Sequence, residues 1–196
     1  GTFIALTVLQ LDGLVTTLLA GAGVVGLALG FAFQDIASNF IAGVLMAIRN
    51  PFVVGEIIET SGYTGTVREI TLRSTIIETF QGQQVILPNA KVYGEPIVNY
   101  STRGTRRVDL ACGVGYGDDL AHAQQTAIQA IEALPERKDS QAVTLFYTEF
   151  GGSSVNFVVS FWVDFNGQAG FLQAQSEAIT AVKAAFDAAG VTIPFP

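Results

Sequence analysis

Reactive side chains are scarce in this sequence and badly spaced for catalysis. His122 and Cys112 are each the sole residue of their type, so a histidine-based triad, a disulfide framework within the chain or an all-cysteine zinc site lacks further members. His122 falls in a segment that reads as a surface helix, where a solvated imidazole is the ordinary outcome. Cys112 sits in an expected strand and reads as a small core residue. Asp118-Asp119 precedes a helical run and reads as a cap rather than a metal pair. Gly151-Gly152-Ser153-Ser154 lacks the nucleophile-elbow spacing and has no accompanying base. Gly21-Ala22-Gly23-Val24-Val25-Gly26 does match the dinucleotide fingerprint, with Leu14 to Ala20 available as its strand. The uncharged run nevertheless continues to Gln34, and Arg49, Pro51 and Gly55 interrupt the second strand that the motif needs. No strand-end acid follows about twenty residues on. These residues point to no cofactor, no metal and no enzyme.

What the chain offers instead is a long stretch without charge. Residues 1–48 carry Asp12 and Asp35 and neither Lys nor Arg. The 22 residues from Gly13 to Gln34 are uncharged, a length of about 33 Å as a helix. The apolar core of a bilayer is roughly 30 Å thick, so the run fits one crossing. A secretory signal peptide would need a basic region ahead of it, and none is there. The shorter apolar piece from Phe3 to Leu11 is broken off by Asp12-Gly13, and residues 1–12 read as the tail of an earlier membrane helix. A net charge of −7 argues against a nucleic-acid partner. A mean hydropathy of +0.44 excludes a disordered chain.

At 100° per residue the faces of this helix sort by size. Ala20, Leu27, Phe31 and Gln34 fall within about 60° of one another. Gly23, Gly26 and Gly30 occupy one flank, Val24, Ala28 and Ala32 the other, and Val25, Leu29 and Phe33 the back. Small residues on two flanks let a membrane helix pack closely against identical neighbours. A head-to-tail contact of that kind closes into a ring when its rotation is right, and the front face then looks down the axis. After Asp35 a second, amphipathic piece follows, with Ile36, Phe40, Ile41, Val44, Leu45 and Ile48 on one half and Ser38, Asn39, Ala42 and Gly43 on the other. Arg49, the first basic residue, marks the return to water.

Two further regions have different periodicities. From Pro51 to Tyr100 short β-type runs (Ile57-Ile58, Val67 to Leu72, Ser74 to Thr79, Val85 to Leu87, Ile97 to Tyr100) alternate with Gly62, Gly65, Gly82 and Pro88-Asn89, which predicts a small β barrel. Beyond Arg103 the order is strand (Val108–Val114), helix (to Leu134), two strands (Ala142–Phe150 and Ser154–Phe165) and helix (Phe171–Ala189). This β-α-β-β-α order is that of a split-βαβ, ferredoxin-like layer. Arg103, Arg106 and Arg107 read as a solvated turn, with the lining of an internal chamber as the alternative.

Several motifs occur in one order along nearly the whole chain. They are Gly23-x-x-Gly26-Leu27-Ala28-x-Gly30-Phe31-Ala32-Phe33-Gln34, Ser38-Asn39-x-x-Ala42-Gly43, Pro51-Phe52-x-x-Gly55-Glu56, Gly65-Thr66-Val67, Leu87-Pro88-Asn89, Asn99-Tyr100-Ser101, Ser154-Val155-Asn156-Phe157 and Ile193-Pro194-Phe195-Pro196. This series resembles the MscS-type mechanosensitive channels. The resemblance implies a ring-shaped homoheptamer in the inner (plasma) membrane, multi-pass in the full-length protein. Its third membrane helix would line the pore, above an Sm/SH3-like β domain and an α/β domain that together enclose a cytoplasmic vestibule. It places Leu27 and Phe31 at the pore constriction, Ala20 and Gln34 on the pore face, and Gly23, Gly26, Gly30, Val24, Ala28 and Ala32 in helix packing. Asp35, Asn39 and Gly43 fall in the hinge region, Asp35 standing where the best-known members have a kink-forming glycine. The expected divisions are 1–12, the pore helix and its kinked continuation at 13–50, the β domain at 51–100 and the α/β domain at 101–196.

The implied function is a channel opened by membrane tension that passes ions and small solutes and relieves hypo-osmotic stress, with lipids and other copies of the chain as partners. The other reading of the same residues is a non-conducting, membrane-anchored oligomer that binds a partner. Seven helices about 8 Å apart lie on a circle of radius roughly 9 Å. Removing a helix radius of about 5 Å leaves a lumen of roughly 4 Å. Lined by Leu27 and Phe31, such a throat gives an ion nothing to replace its water.

Overall fold

The computed structural model describes Thr2 and residues 12–195. The expected membrane-helix tail at residues 1–12 therefore lies, save for Thr2 and Asp12, outside the described residues.

Asp12–Arg49 form one helix, α1, 38 residues long, which is about 57 Å. The uncharged run and the amphipathic piece after Asp35 are thus one element, because no proline before Pro51 removes a backbone donor. The helix stops at Asn50, which turns left-handed (φ 45°) and returns its N–H to the Met46 carbonyl at 2.8 Å. Pro51 follows and cannot continue the ladder. The helix is long and apolar enough to cross a membrane, and its most apolar stretch is not buried against the rest of the chain.

Five strands follow: β1 (Ile57–Thr60), β2 (Tyr63–Ile70), β3 (Ser74–Thr79), β4 (Gln84–Pro88) and β5 (Val98–Asn99). They make one antiparallel sheet in the order β4-β3-β2-β1-β5. A bulge between Val67 and Glu69 bends β2. Gly65 is required where β2 crosses β3, since a Cβ there would overlap the Glu78 carbonyl. Between β4 and β5 lies a short helix, α2 (Asn89–Gly94), which the sequence pattern did not announce. Ile58, Val67, Ile77, Leu87 and Val92 form the core of this domain, closed by Met46 of α1 and by Phe52.

The last region runs β6 (Thr105–Val114), α3 (Leu120–Glu132), β7 (Thr144–Phe150), β8 (Val155–Asp164) and α4 (Gln168–Ala189). Its sheet order is β6-β8-β7, with β8 antiparallel to both neighbours, the split βαβ expected from the element order. Val155, Phe157, Val159, Phe161 and Val163 alternate into the core. They meet Ala123, Ala127 and Ile131 of α3 and Ala174, Ala178, Val182 and Phe186 of α4, residues spaced by four on each helix as one buried stripe requires. Asp119 caps α3 through the Ala121 and His122 amides, and Gly190 ends α4 in a left-handed turn. Asp118 does a different job, accepting from the Gly115 and Thr192 amides at 3.0 Å and so tying the chain after α4 to the end of β6.

A candidate pore helix and its footing

The front-face residues expected from periodicity come together in space. Leu27, Phe31 and Gln34 line one apolar groove of about 830 Å³ that continues down α1 past Ser38 to Ala90 and Tyr93 of α2. Ala20 lies higher on the same helix and is exposed. Leu27 is 63% and Phe31 67% exposed, so no described residue covers them. Two large apolar side chains left bare on a membrane-length helix require another apolar surface. Val24, Ala28 and Ala32 are exposed. A Cβ placed at Gly23, Gly26 or Gly30 would meet no described residue within 4 Å.

The lower third of α1 is anchored. Asp35, Asn39 and Gly43 recur every four residues and form one stripe, and that stripe stands against the β domain. Asn39 donates from Nδ2 to the Asp35 carbonyl at 2.8 Å, and its Oδ1 accepts from the Ala90 amide of α2 at 2.9 Å. Gly43 is buried where the helix meets the β2–β3 turn. A Cβ there would overlap the Leu72 carbonyl oxygen and come within 2.7 Å of Asn89 Nδ2. A close approach thus holds this glycine. Asn89, itself fully buried, accepts from the Thr75 hydroxyl at 2.9 Å and donates to the Thr71 carbonyl at 2.9 Å. The amide groups of both Asn39 and Asn89 thus have a partner for oxygen and nitrogen alike, as burial demands. Arg49 adds a contact at the foot of α1, its guanidinium 5.8 Å from the centroid of the Tyr93 ring, where a cation also suits the helix C-terminus.

Downstream motif residues hold backbone. Gly55 is left-handed (φ 96°), and Glu56 Oε2 accepts from the Val53 amide and from Asn99 Nδ2 at 2.9 and 2.8 Å. Asn99 Oδ1 in turn accepts from the Ser101 and Thr102 amides. Of the three arginines near residue 105, Arg106 is not a free surface cation. Its guanidinium lies 4.0 Å from the Phe171 ring, 4.5 Å from Tyr100 and 5.6 Å from Phe165, and it donates to Gln168 at 3.1 Å. Tyr100 belongs to the β-domain side and donates its hydroxyl to Glu59 at 2.6 Å. That bond and burial raise the Tyr100 pKa above the ordinary tyrosine value, against the lowering pull of Arg106. Arg107 pairs with Asp109 at 2.8 Å. Burial pushes the Asp109 carboxyl up, but hydrogen bonds from Ser160 and Arg107, with the charge of Arg107, outweigh it and leave the pKa lowered.

Ala90, Tyr93, the buried contacts of Asn89 and the aromatic setting of Arg106 escaped the sequence reading, in which Asn89 is only a turn and motif residue. Asn39 and Ala90 are 51 residues apart, and no periodicity links them. Among the described residues no group of His, Cys, Asp and Glu side chains could hold a metal ion.

Comparisons with known proteins agree with this architecture. Residues 35–102 match the family profile described as mechanosensitive ion channel, beta-domain, and residues 108–193 match mechanosensitive ion channel MscS, C-terminal. A small-conductance mechanosensitive channel of Helicobacter pylori is 32% identical over 194 residues, which cover 99% of this chain and 69% of that protein. One from Edwardsiella ictaluri is 35% identical over 171 residues, covering 87% of this chain and 59% of that protein. The crystal structure of Helicobacter pylori MscS in its closed state superposes with a TM-score of 0.84 at 33% identity, over 99% of this chain and 75% of that one. The chain thus spans roughly three fifths to two thirds of the length of these curated relatives.

Proposed function

Since this chain belongs to the MscS family of mechanosensitive ion channels, we propose that seven copies of it stand around an axis in the inner membrane and form a pore opened by membrane tension. The observation that carries the proposal is the contrast along α1. Its upper part presents Leu27, Phe31 and Gln34 uncovered on one face, while its foot is fastened to the β domain through Asn39 and Gly43.

In the ring, Leu27 and Phe31 form the constriction, and Ala20 and Gln34 face the lumen above and below it. Gly23, Gly26 and Gly30 of one copy pack against Val24, Ala28 and Ala32 of the next. An apolar throat of roughly 4 Å radius expels water and strips ions of hydration, so it is closed without a plug. Tension favours the wider ring. The helices slide along their small-residue flanks, and ions and small solutes then pass, relieving hypo-osmotic swelling. Asp35, Asn39 and Gly43 form the joint across which the moving helix meets the β domain. Both soluble domains lie on the cytoplasmic side, where Arg49 re-enters water, and lipid covers the back of α1. The present arrangement corresponds to the closed pore, by its likeness to the closed-state relative.

Patch recording on liposomes containing the complete gene product tests the reading. Suction should evoke stepwise currents of low ion selectivity. Assembled rings that stay silent up to membrane rupture would favour a non-conducting, membrane-anchored oligomer.

A further inference from the structure

Asp35 is the sole ionisable side chain between Gly13 and Ile48, and among the described residues it makes no ion pair. The same holds for Arg73, in the turn between β2 and β3. The two lie on opposite walls of one groove of about 420 Å³, with Ile36 and Asn39 beside Asp35 and Ile86 and Pro88 beside Arg73.

Their backbones are already fixed relative to each other. Asp35 stands one helical turn above Asn39, which is bonded to Ala90. The carbonyl of Arg73 accepts from the neighbouring Asn89 amide at 3.0 Å. Thr71 pins the turn itself, accepting from the Ser74 amide at 3.0 Å and donating to the Ser74 carbonyl at 2.9 Å. A hydrogen-bonded turn therefore holds a long, flexible cationic side chain on the same groove as a carboxylate that has no ion pair among the described residues. Ile36, Ile86 and Pro88 supply much of the lining between them, and the opposite charges attract across it.

We infer that Asp35 and Arg73 are an electrostatic latch between the pore-lining helix and the β domain, acting as positioning residues that hold the helix in the arrangement seen here. This rests on the channel reading above, with that arrangement as the closed one. Outward movement of α1 carries Asp35 away from the turn and weakens the attraction, so the latch biases the ring against opening. Asn39 and Gly43 set the contact. The charge pair sets how strongly it resists tension.

The test is a charge-swap cycle in the complete gene product, read in two ways. In patch recordings D35N and R73Q should each lower the opening tension, shifting the open-to-closed ratio at fixed tension by about threefold per subunit, the range of exposed ion pairs. D35R and R73D should lower it further, and the double variant D35R/R73D should return toward wild type. Raising salt on the β-domain side from 0.1 to 1 M cuts the screening length from about 10 Å to about 3 Å, so it should erase the difference between wild type and D35N. In the purified protein, the Tm loss caused by D35N should vanish in an R73Q background. A swap no better than the worse single variant, or additive Tm losses, would overturn the latch. If wild type passes no current, the channel reading fails, and the Tm cycle still decides whether the two charges are coupled.

Discussion

Single atoms decide two positions on α1. Leu27 and Phe31 contribute only hydrocarbon to the proposed throat, and a hydroxyl at either would offer water and ions a hydrogen bond where none exists. Leu27→Ser and Phe31→Ser should therefore open at lower tension in patch recordings, with unchanged thresholds as the contrary result. Gly43 is constrained in the opposite sense, by lack of room. The Leu72 carbonyl and the Asn89 amide leave no space for a methyl group, and the Asn89 side chain is held by its bonds to Thr75 and Thr71. Gly43→Ala should destabilise the protein by about 1–3 kcal/mol, the usual cost of overpacking, seen as a lower Tm in detergent. Gly26, with open space around it in one copy, should lose no intrachain stability from the same change.

At the scale of elements, α1 belongs to two environments at once. Its upper part leaves its large apolar side chains exposed, Leu18, Val25, Leu27 and Phe31 among them, whereas Ala42 and Met46 are buried against the β domain. A rod clamped at one end transmits displacement at the other, provided that its free part can slide. Gly26→Ala and Gly30→Ala add methyl groups to the flank proposed to slide, where neighbouring helices would then interlock. Each should raise the opening tension without lowering the Tm of the soluble domains. The same element shows why a helical pattern read in two pieces became one helix. A change of face at Asp35 alters what the helix packs against, not its backbone bonding, and nothing before Pro51 interrupts the ladder.

For the molecule as a whole, the β domain and the α/β domain are joined by a short linker and by Arg106. That one guanidinium touches rings from both sides, Tyr100 on one and Phe165 and Phe171 on the other. Each cation–π contact contributes about 0.5–1 kcal/mol at partly exposed sites, enough to couple two modest domains. Arg106→Ala should uncouple them, so that calorimetry of the purified protein resolves two unfolding transitions where wild type shows one. A single transition at an unshifted temperature would mean that the linker alone couples them. The position next in sequence, Arg107, pairs with Asp109 on β6 itself and should leave the transition single when replaced.

Features written in local period and punctuation were legible before folding was considered. The uncharged run defined α1, alternation along Val155–Phe165 defined β8, Asp119 and Gly190 bounded the last two helices, and the ordered motifs identified the family. Each depends on residues a few positions apart, where backbone geometry fixes which side chains share a face. Only the folded chain shows that Asn39 and Gly43 seat α1 on the β domain, that α2 receives it there, and that Arg106 is stacked among aromatics. The longest of these contacts join residues 51 positions apart, as Asn39 and Ala90, or 62 apart, as Arg106 and Gln168, and they depend on how finished elements meet. Helical and strand periods repeat too often to specify such meetings, which are selected by packing and by the need of every buried polar group for a partner.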